Sequence, residues 1–144
     1  MKRIEGACLC GACRISGTPL SDKMHICHCD MCRAWTGVGM MALQLDGKDI
    51  EMSGPVKTRA TSDWAERAWC DDCGSSLYYR VTAEGPYANN YHVASGLFAD
   101  AGGVTLTGEY FTDKRPKGYA FAGDLHGMTE AETLAMFSGD GDAT

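Results

Sequence analysis

From Val38 onward, apolar and polar side chains alternate over short runs that are cut at intervals by turn residues. This period-two pattern predicts strands over residues 38–45, 49–52, 56–61, 66–69, 77–82 and 91–97. Asp46-Gly47 between the first two runs is a hairpin signal, and Ser53-Gly54-Pro55 marks another turn. Upstream, Arg14 to Gly17 predicts the start of a strand, and Thr18 to Lys23 reads as a turn with Pro19 and Ser21-Asp22. Met24 to Ile26 predicts a strand that delivers Cys27 into a tight turn, and the residues through Trp35 predict one helical turn that Gly37 stops. Helical periodicity is convincing only late, where Thr129 and Glu132 form a capping box for a short helix over 129–137 carrying Leu134, Met136 and Phe137. Beyond it, 138–144 holds no packing residue except Ala143 and is expected to fray. The expectation is a mainly β chain with a short C-terminal helix.

Length and composition sharpen this picture. The 144 residues contain no solenoid repeat and no interior linker rich in Pro or Ser, so one domain is expected. Leu, Ile, Val and Phe make up only 22 of those 144 residues, and the formal charge is −6, which together approach a disordered composition. Something besides aliphatic packing must hold the chain together. Eight cysteines are the candidate, since binding of a structural zinc supplies on the order of 10 kcal/mol that is coupled to folding.

Eight cysteines also fit four disulfides on parity alone. Met1 to Gly6, however, lead into the first cysteine without an apolar signal segment, so the expectation is a reduced, cytoplasmic protein. The longest apolar stretch, near 38–45, is too short to span a bilayer, and no membrane partner is expected. A pI near 5 and the absence of a Lys/Arg cluster argue against nucleic acid. Oligomeric state is not legible.

The cysteines fall into groups. Cys8 and Cys10 are followed by Gly11, which is free to take the positive φ of a metal-wrapping turn, and read as one half-site. Cys70-Asp71-Asp72-Cys73-Gly74 reads as the other half. A redox dithiol usually heads a helix, whereas Ser75 to Tyr79 predicts a strand here, so zinc is the better reading. Pairing Cys8 and Cys10 with Cys70 and Cys73 gives a closed, structural four-thiolate site. Cys27, Cys29 and Cys32 lie within one turn, where a tetrahedral zinc with Zn–S of ~2.3 Å needs its sulfurs ~3.8 Å apart. Three protein ligands leave one exchangeable position, the mark of a catalytic zinc.

With Cys-x-Cys-Gly at 8–11, Cys-His-Cys-x-x-Cys-Arg at 27–33 and Arg-Ala-Trp-Cys-x-x-Cys-Gly at 67–74, the chain resembles the glutathione-dependent formaldehyde-activating enzyme family, which shares its domain type with centromere protein V. The likeness is strongest over residues 6–80 and persists to about Leu125 through Asp113-Lys114-Arg115-Pro116, which implies a family-type domain over 1–125 and a tail with the helix over 126–144. The resemblance implies a small zinc-stabilised β-sheet domain (a β-tent) with two zinc ions per chain: a structural one on Cys8, Cys10, Cys70 and Cys73, and a catalytic one on Cys27, Cys29 and Cys32. It also implies a carbon–sulfur lyase that joins a small-molecule thiol such as glutathione to formaldehyde. The chain departs from the family pattern at Glu109-Tyr110, where many members carry a His and a β-branched residue. It departs again at Gly118-Tyr119, where a Trp is usual, and at Cys13, where an apolar residue is more common.

Three thiolates on a doubly charged ion leave about −1, so water is acidified less than at a three-histidine site and a soft thiol is the natural fourth ligand. Glutathione carries two carboxylates, and Arg33 after Cys32 and Arg67 before Cys70 are the candidate cations that would bind them. His28 gains no catalytic role from its place between two cysteines. Trp35 and Trp69 read as pocket wall or as packing. A rival reading is non-enzymatic: Cys8, Cys10 and Cys13 repeat the spacing of Cys27, Cys29 and Cys32, so Cys13 could complete the central site and leave two closed four-cysteine sites in an interaction scaffold.

Overall fold

The computed structural model describes residues 1–138, so the predicted fraying of residues 139–144 lies outside the described part. In chain order the elements are β1 (Ile4–Ala7), β2 (Arg14–Gly17), β3 (Pro19–Cys27), α1 (Asp30–Thr36), β4 (Met40–Leu45), β5 (Glu51–Ser53), β6 (Val56–Ala60), β7 (Ala65–Cys70), β8 (Ser76–Val81), β9 (Tyr91–Ala94), β10 (Thr105–Tyr110), β11 (His126–Met128) and α2 (Glu130–Ser138). The protein is mainly β with a short C-terminal helix, as the periodicity predicts. None of the described helices is long and apolar enough to cross a membrane.

The chain forms two compact units. The first contains Met1–Asp22 and Ala42–Thr105. Here β1, β2 and β5 make a small antiparallel sheet, while β4, β9, β8, β7 and β6 are neighbours in that order, each antiparallel to the next. Alternation along these strands drives Ile15, Leu43, Leu45, Leu77 and Val93 inward, where they are almost fully buried. Burying such a side chain is worth about 1.5–3 kcal/mol. Cys13 and Cys70 share that interior.

The second unit holds Lys23–Met41 and the chain from Leu106 on. Its strands run β11, β10, β3, with β10 and β11 parallel. Met24 and Ile26 of β3 and Met136 of α2 are buried apolar residues of this unit. Gly39 passes so close to β3 that a Cβ there would lie 2.8 Å from the Cys27 carbonyl oxygen. The predicted capping box is present at α2: Glu132 Oε1 accepts the Thr129 N–H at 3.0 Å and Thr129 Oγ1 accepts the Glu132 N–H at 3.2 Å.

Several expectations are corrected. Residues 19–23, predicted as turn, are the start of β3, and their polar side chains are tolerated because residues 20–23 of the strand are exposed. Asp46-Gly47 does not close a hairpin, because β4 pairs with β9 and β5 pairs with β2. The segment is instead a tied corner. Asp46 Oδ1 accepts the Lys48 N–H at 2.9 Å, and Asp49 accepts from the Thr18 hydroxyl at 2.6 Å and from Arg3 at 3.1 Å. These contacts hold the Asp49 carboxyl below the usual carboxylate range, the Thr18 hydroxyl being the main cause. The run predicted through Leu97 leaves the sheet after Ala94 into a 3-10 turn at Ser95–Leu97. β1, β10 and β11 are additions to the predicted set; each contains a glycine that weakens a strand signal.

Candidate metal centres

In the first unit two loops converge. β1 ends at Ala7 and the chain folds back at once, with Cys8 N–H donating to the Cys13 carbonyl at 3.0 Å and Gly11 N–H to the Cys8 carbonyl at 3.0 Å. Gly11 has φ of 79°, as the turn requires. The second loop copies the device: β7 ends at Cys70, and Gly74 (φ 79°) donates to the Cys70 carbonyl at 2.8 Å. The sulfurs of Cys8, Cys10, Cys70 and Cys73 lie within 4.8 Å of one another, with Cys8–Cys10 at 3.6 Å and Cys10–Cys70 at 3.8 Å.

Backbone N–H groups face these sulfurs: Cys13 N–H donates to Cys8 Sγ at 3.3 Å and Cys73 N–H to Cys70 Sγ at 3.5 Å. Hydrogen bonds from Ser75, side chain first, bring the Cys73 thiol down to about 5. Cys10 is pushed up to about 12; the Ala12 N–H favours its thiolate, but the crowded sulfur of Cys8 and burial outweigh it. Burial opposes ionisation of Cys8, but the Cys13 N–H prevails and lowers that thiol as well, so within the cluster it is Cys10 that resists. Four crowded sulfurs that cannot all ionise on their own fit a soft divalent cation, whose charge removes that resistance.

The second unit gathers Cys27, Cys29 and Cys32, whose sulfurs also lie within 4.8 Å of one another. Cys27 is the last residue of β3. Cys29 is the N-cap of α1, in extended conformation, and its sulfur accepts the Cys32 N–H at 3.4 Å. α1 brings Cys32 round to the same side and ends at Gly37, whose φ of 96° lets its N–H reach the Arg33 carbonyl at 2.8 Å. Hydrogen bonding among the three sulfurs, then burial, pushes the Cys27 thiol well up. The donor set again fits a thiophilic divalent cation, here with three sulfurs.

Cys13 is not a member of this second group, which corrects the rival assignment in which it completes the central site. It is fully buried in the first unit beside the four-cysteine cluster, where burial and the sulfurs of Cys70 and Cys8 push its thiol up to about 12. The physical reason is the Cys8–Cys13 turn itself: the two backbone hydrogen bonds that close it hold Cys13 against Cys8.

Of the candidate cations, Arg33 is half-buried in the second unit; its Nε donates to the His28 carbonyl at 3.2 Å and its Nη2 to Asp30. Arg67 belongs to the first unit, only 4% exposed, with its guanidinium carbon 5.0 Å above the Tyr79 ring. Trp35 and Trp69 are both half-buried. His28 is fully buried and its ring nitrogens do not join the three-sulfur group; Nε2 lies 2.9 Å from Glu109 Oε1, an oxygen that also accepts from Arg115 Nη1 at 2.8 Å. Phe121 and Tyr119 flank the imidazole at 5.9 and 6.4 Å. Burial opposes ionisation of Glu109, but the bonds from His28 and Arg115 prevail and hold its carboxyl below the ordinary range. This group escaped sequence reasoning because 81 residues separate His28 from Glu109. The available signal was a lone carboxylate in an otherwise uncharged strand.

Comparison with known proteins agrees with this geometry. An uncharacterized lyase of Schizosaccharomyces pombe is 30% identical to this chain over 135 residues, covering 93% of this chain and 96% of that protein. The crystal structure of a Rhodobacter sphaeroides protein matches with a TM-score of 0.56 at 22% identity, over 72% of this chain and all of the other, a likeness of fold. The family model described as glutathione-dependent formaldehyde-activating enzyme matches residues 3–114, a span that takes in both cysteine clusters and the Glu109 strand. The chain is a member of that family.

Proposed function

We propose that this protein is a zinc-dependent carbon–sulfur lyase that makes and breaks the adduct of a small thiol, of the glutathione type, with formaldehyde. The observation that carries the reading is the unequal division of the cysteines: four sulfurs meet in one cluster and three in the other, with the eighth thiol buried beside the first. Zinc on Cys8, Cys10, Cys70 and Cys73 would be structural. Zinc on Cys27, Cys29 and Cys32 would supply a vacant position that stabilises an external thiol as its thiolate.

In the lyase direction the C–S bond of an S-hydroxymethyl thiol breaks with its electron pair going to sulfur, the hydroxyl loses its proton, and C=O forms. Overall the proton passes from oxygen to sulfur and no redox partner is needed. The chain's own part is to bind and orient. Arg33 is set by the His28 carbonyl one residue beyond Cys32 and suits a substrate carboxylate. Arg115, partly exposed and paired with Glu109, is a second candidate. Arg67, expected for this role from its place before Cys70, is spent on the Tyr79 face and takes no part in the reading. A cytoplasmic location, where small thiols are reduced, belongs to the same proposal.

Exchange NMR on a mixture of glutathione and formaldehyde tests it. The protein is expected to speed interconversion of the free and hydroxymethyl thiol, and Cys32→Ser to return the rate to that of the mixture alone. A wild-type protein that leaves the rate unchanged, or a Cys32→Ser variant as fast as wild type, contradicts the reading.

A further inference from the structure

His28 stands between two of the three sulfur donors, and three of its four polar groups are tied down within the second unit. Its N–H donates to the Tyr110 carbonyl at 3.0 Å, its carbonyl accepts from Arg33 Nε at 3.2 Å, and its Nε2 meets Glu109 at 2.9 Å. Only Nδ1 has no partner among the described residues. Two of these ties come from consecutive residues of β10, so the end of that strand grips the residue between Cys27 and Cys29 by backbone and side chain together. Glu109 is itself held: Phe111 adopts left-handed backbone (φ 56°), a 3-10 turn follows at Thr112–Lys114, and Arg115 returns to the carboxylate six residues along. A carboxylate can only accept, so in the neutral imidazole the proton sits on Nε2 and Nδ1 is bare. Replacing the acceptor by an apolar group would strand a buried donor and release the ring.

We propose that Glu109 is a positioning residue for the three-cysteine seat: by holding His28 it fixes the turn that presents Cys27 and Cys29 to a metal ion. The proposal rests on the reading of Cys27, Cys29 and Cys32 as a metal site, but not on any reaction performed there. Arg115 bonds the same carboxylate oxygen that meets the imidazole, and so acts one step further back. Outer partners of metal ligands typically affect affinity by about 10–100-fold, and the lower end suits a residue that acts through the backbone of a ligand-flanking position.

The test follows metal release from the fully loaded protein into a colorimetric chelator, together with the side-chain 15N spectrum of His28. Wild type is expected to give two ions per chain and an Nε2–H tautomer. Glu109→Met keeps the volume but removes the acceptor; one ion should leave about tenfold faster, the other at the wild-type rate, and the tautomer signal should become mixed. Glu109→Gln still offers an oxygen and should recover most of both readouts. Glu109→Met with wild-type release and a wild-type tautomer overturns the proposal, and so does equal loosening in Glu109→Gln. Should Glu109→Met bind neither ion, Arg115→Met decides, since that residue is partly exposed: faster release of the same single ion supports the proposal and unchanged release refutes it. A wild-type protein that binds a single ion per chain refutes the metal-site reading instead, so the two failures are distinct.

Discussion

Cys13 separates the two accounts of the cysteines at the level of a single residue. It is fully buried against Cys8, and the turn that holds it belongs to the four-cysteine cluster. Cys13→Ala should therefore keep both metal ions while removing one slowly reacting thiol from the native count. Losing a buried sulfur should cost about 1–2 kcal/mol of stability. Metal analysis with thiol titration checks this, and loss of an ion would return Cys13 to the ligands. The sequence carried the competing possibility because Cys8-x-Cys10-x-x-Cys13 has the same spacing as Cys27-x-Cys29-x-x-Cys32. Spacing describes which sulfurs a turn can gather; it does not say which of them face one another. That depends on backbone hydrogen bonds such as Cys8 N–H to the Cys13 carbonyl, which local pattern does not encode.

At the scale of elements, α1 is the piece that shapes the three-cysteine cluster; its C-terminal end was legible in Gly37, whereas its N-terminal cap was not. Cys29 caps the N-terminus and Gly37 closes the C-terminus with φ of 96°. A Cβ at Gly37 meets nothing within 4 Å, so Gly37→Ala isolates the conformational cost: about 1 kcal/mol less stable by denaturant unfolding, with both metal ions retained. Gly54 contrasts with it. With φ of 94° and a Cβ that would lie 2.0 Å from the Ala12 carbonyl oxygen, Gly54→Ala should cost several kcal/mol and give little folded protein. At the other end of the chain, Thr129→Ala removes one half of the α2 capping box and should cost about 1 kcal/mol. Strand pairing was less legible than strand existence. Asp46-Gly47 signalled a hairpin, yet Thr18, Arg3 and Asp49 recruit that turn into a corner between non-adjacent strands. Such partners lie 31 to 46 residues away in sequence, beyond any local signal.

For the molecule as a whole, the shortage of aliphatic residues would, on the proposed reading, make a metal ion on the four-cysteine cluster part of the folding balance. Binding of about 10 kcal/mol per structural ion rivals the 5–15 kcal/mol that stabilises ordinary domains, so chelation should unfold the first unit, read as loss of its β-sheet signal. The pH dependence has a definite sign. Thiols held high without metal, such as Cys10 at about 12, must lose protons to bind an ion, so affinity should fall and metal should leave as pH drops. Cys73, at about 5, is already a thiolate at neutral pH and releases no proton, so the first cluster should release fewer than four protons per ion at pH 7. Titration calorimetry in buffers of different ionisation enthalpy checks the number. The family and both cysteine groups were legible because short motifs carry them, and the mainly β class because period-two alternation does; the His28–Glu109–Arg115 relay was not, because it exists only once β3 and β10 are neighbours.

The central claim is that one of two metal seats accepts a thiol from outside the chain. Cobalt-substituted protein titrated with glutathione tests it directly through the sulfur-to-cobalt charge-transfer bands. The account predicts two cobalt ions per chain and a saturable rise equivalent to one added thiolate on one ion, absent in Cys32→Ser. Bands that already report four protein sulfurs around each ion and do not change with glutathione would contradict it.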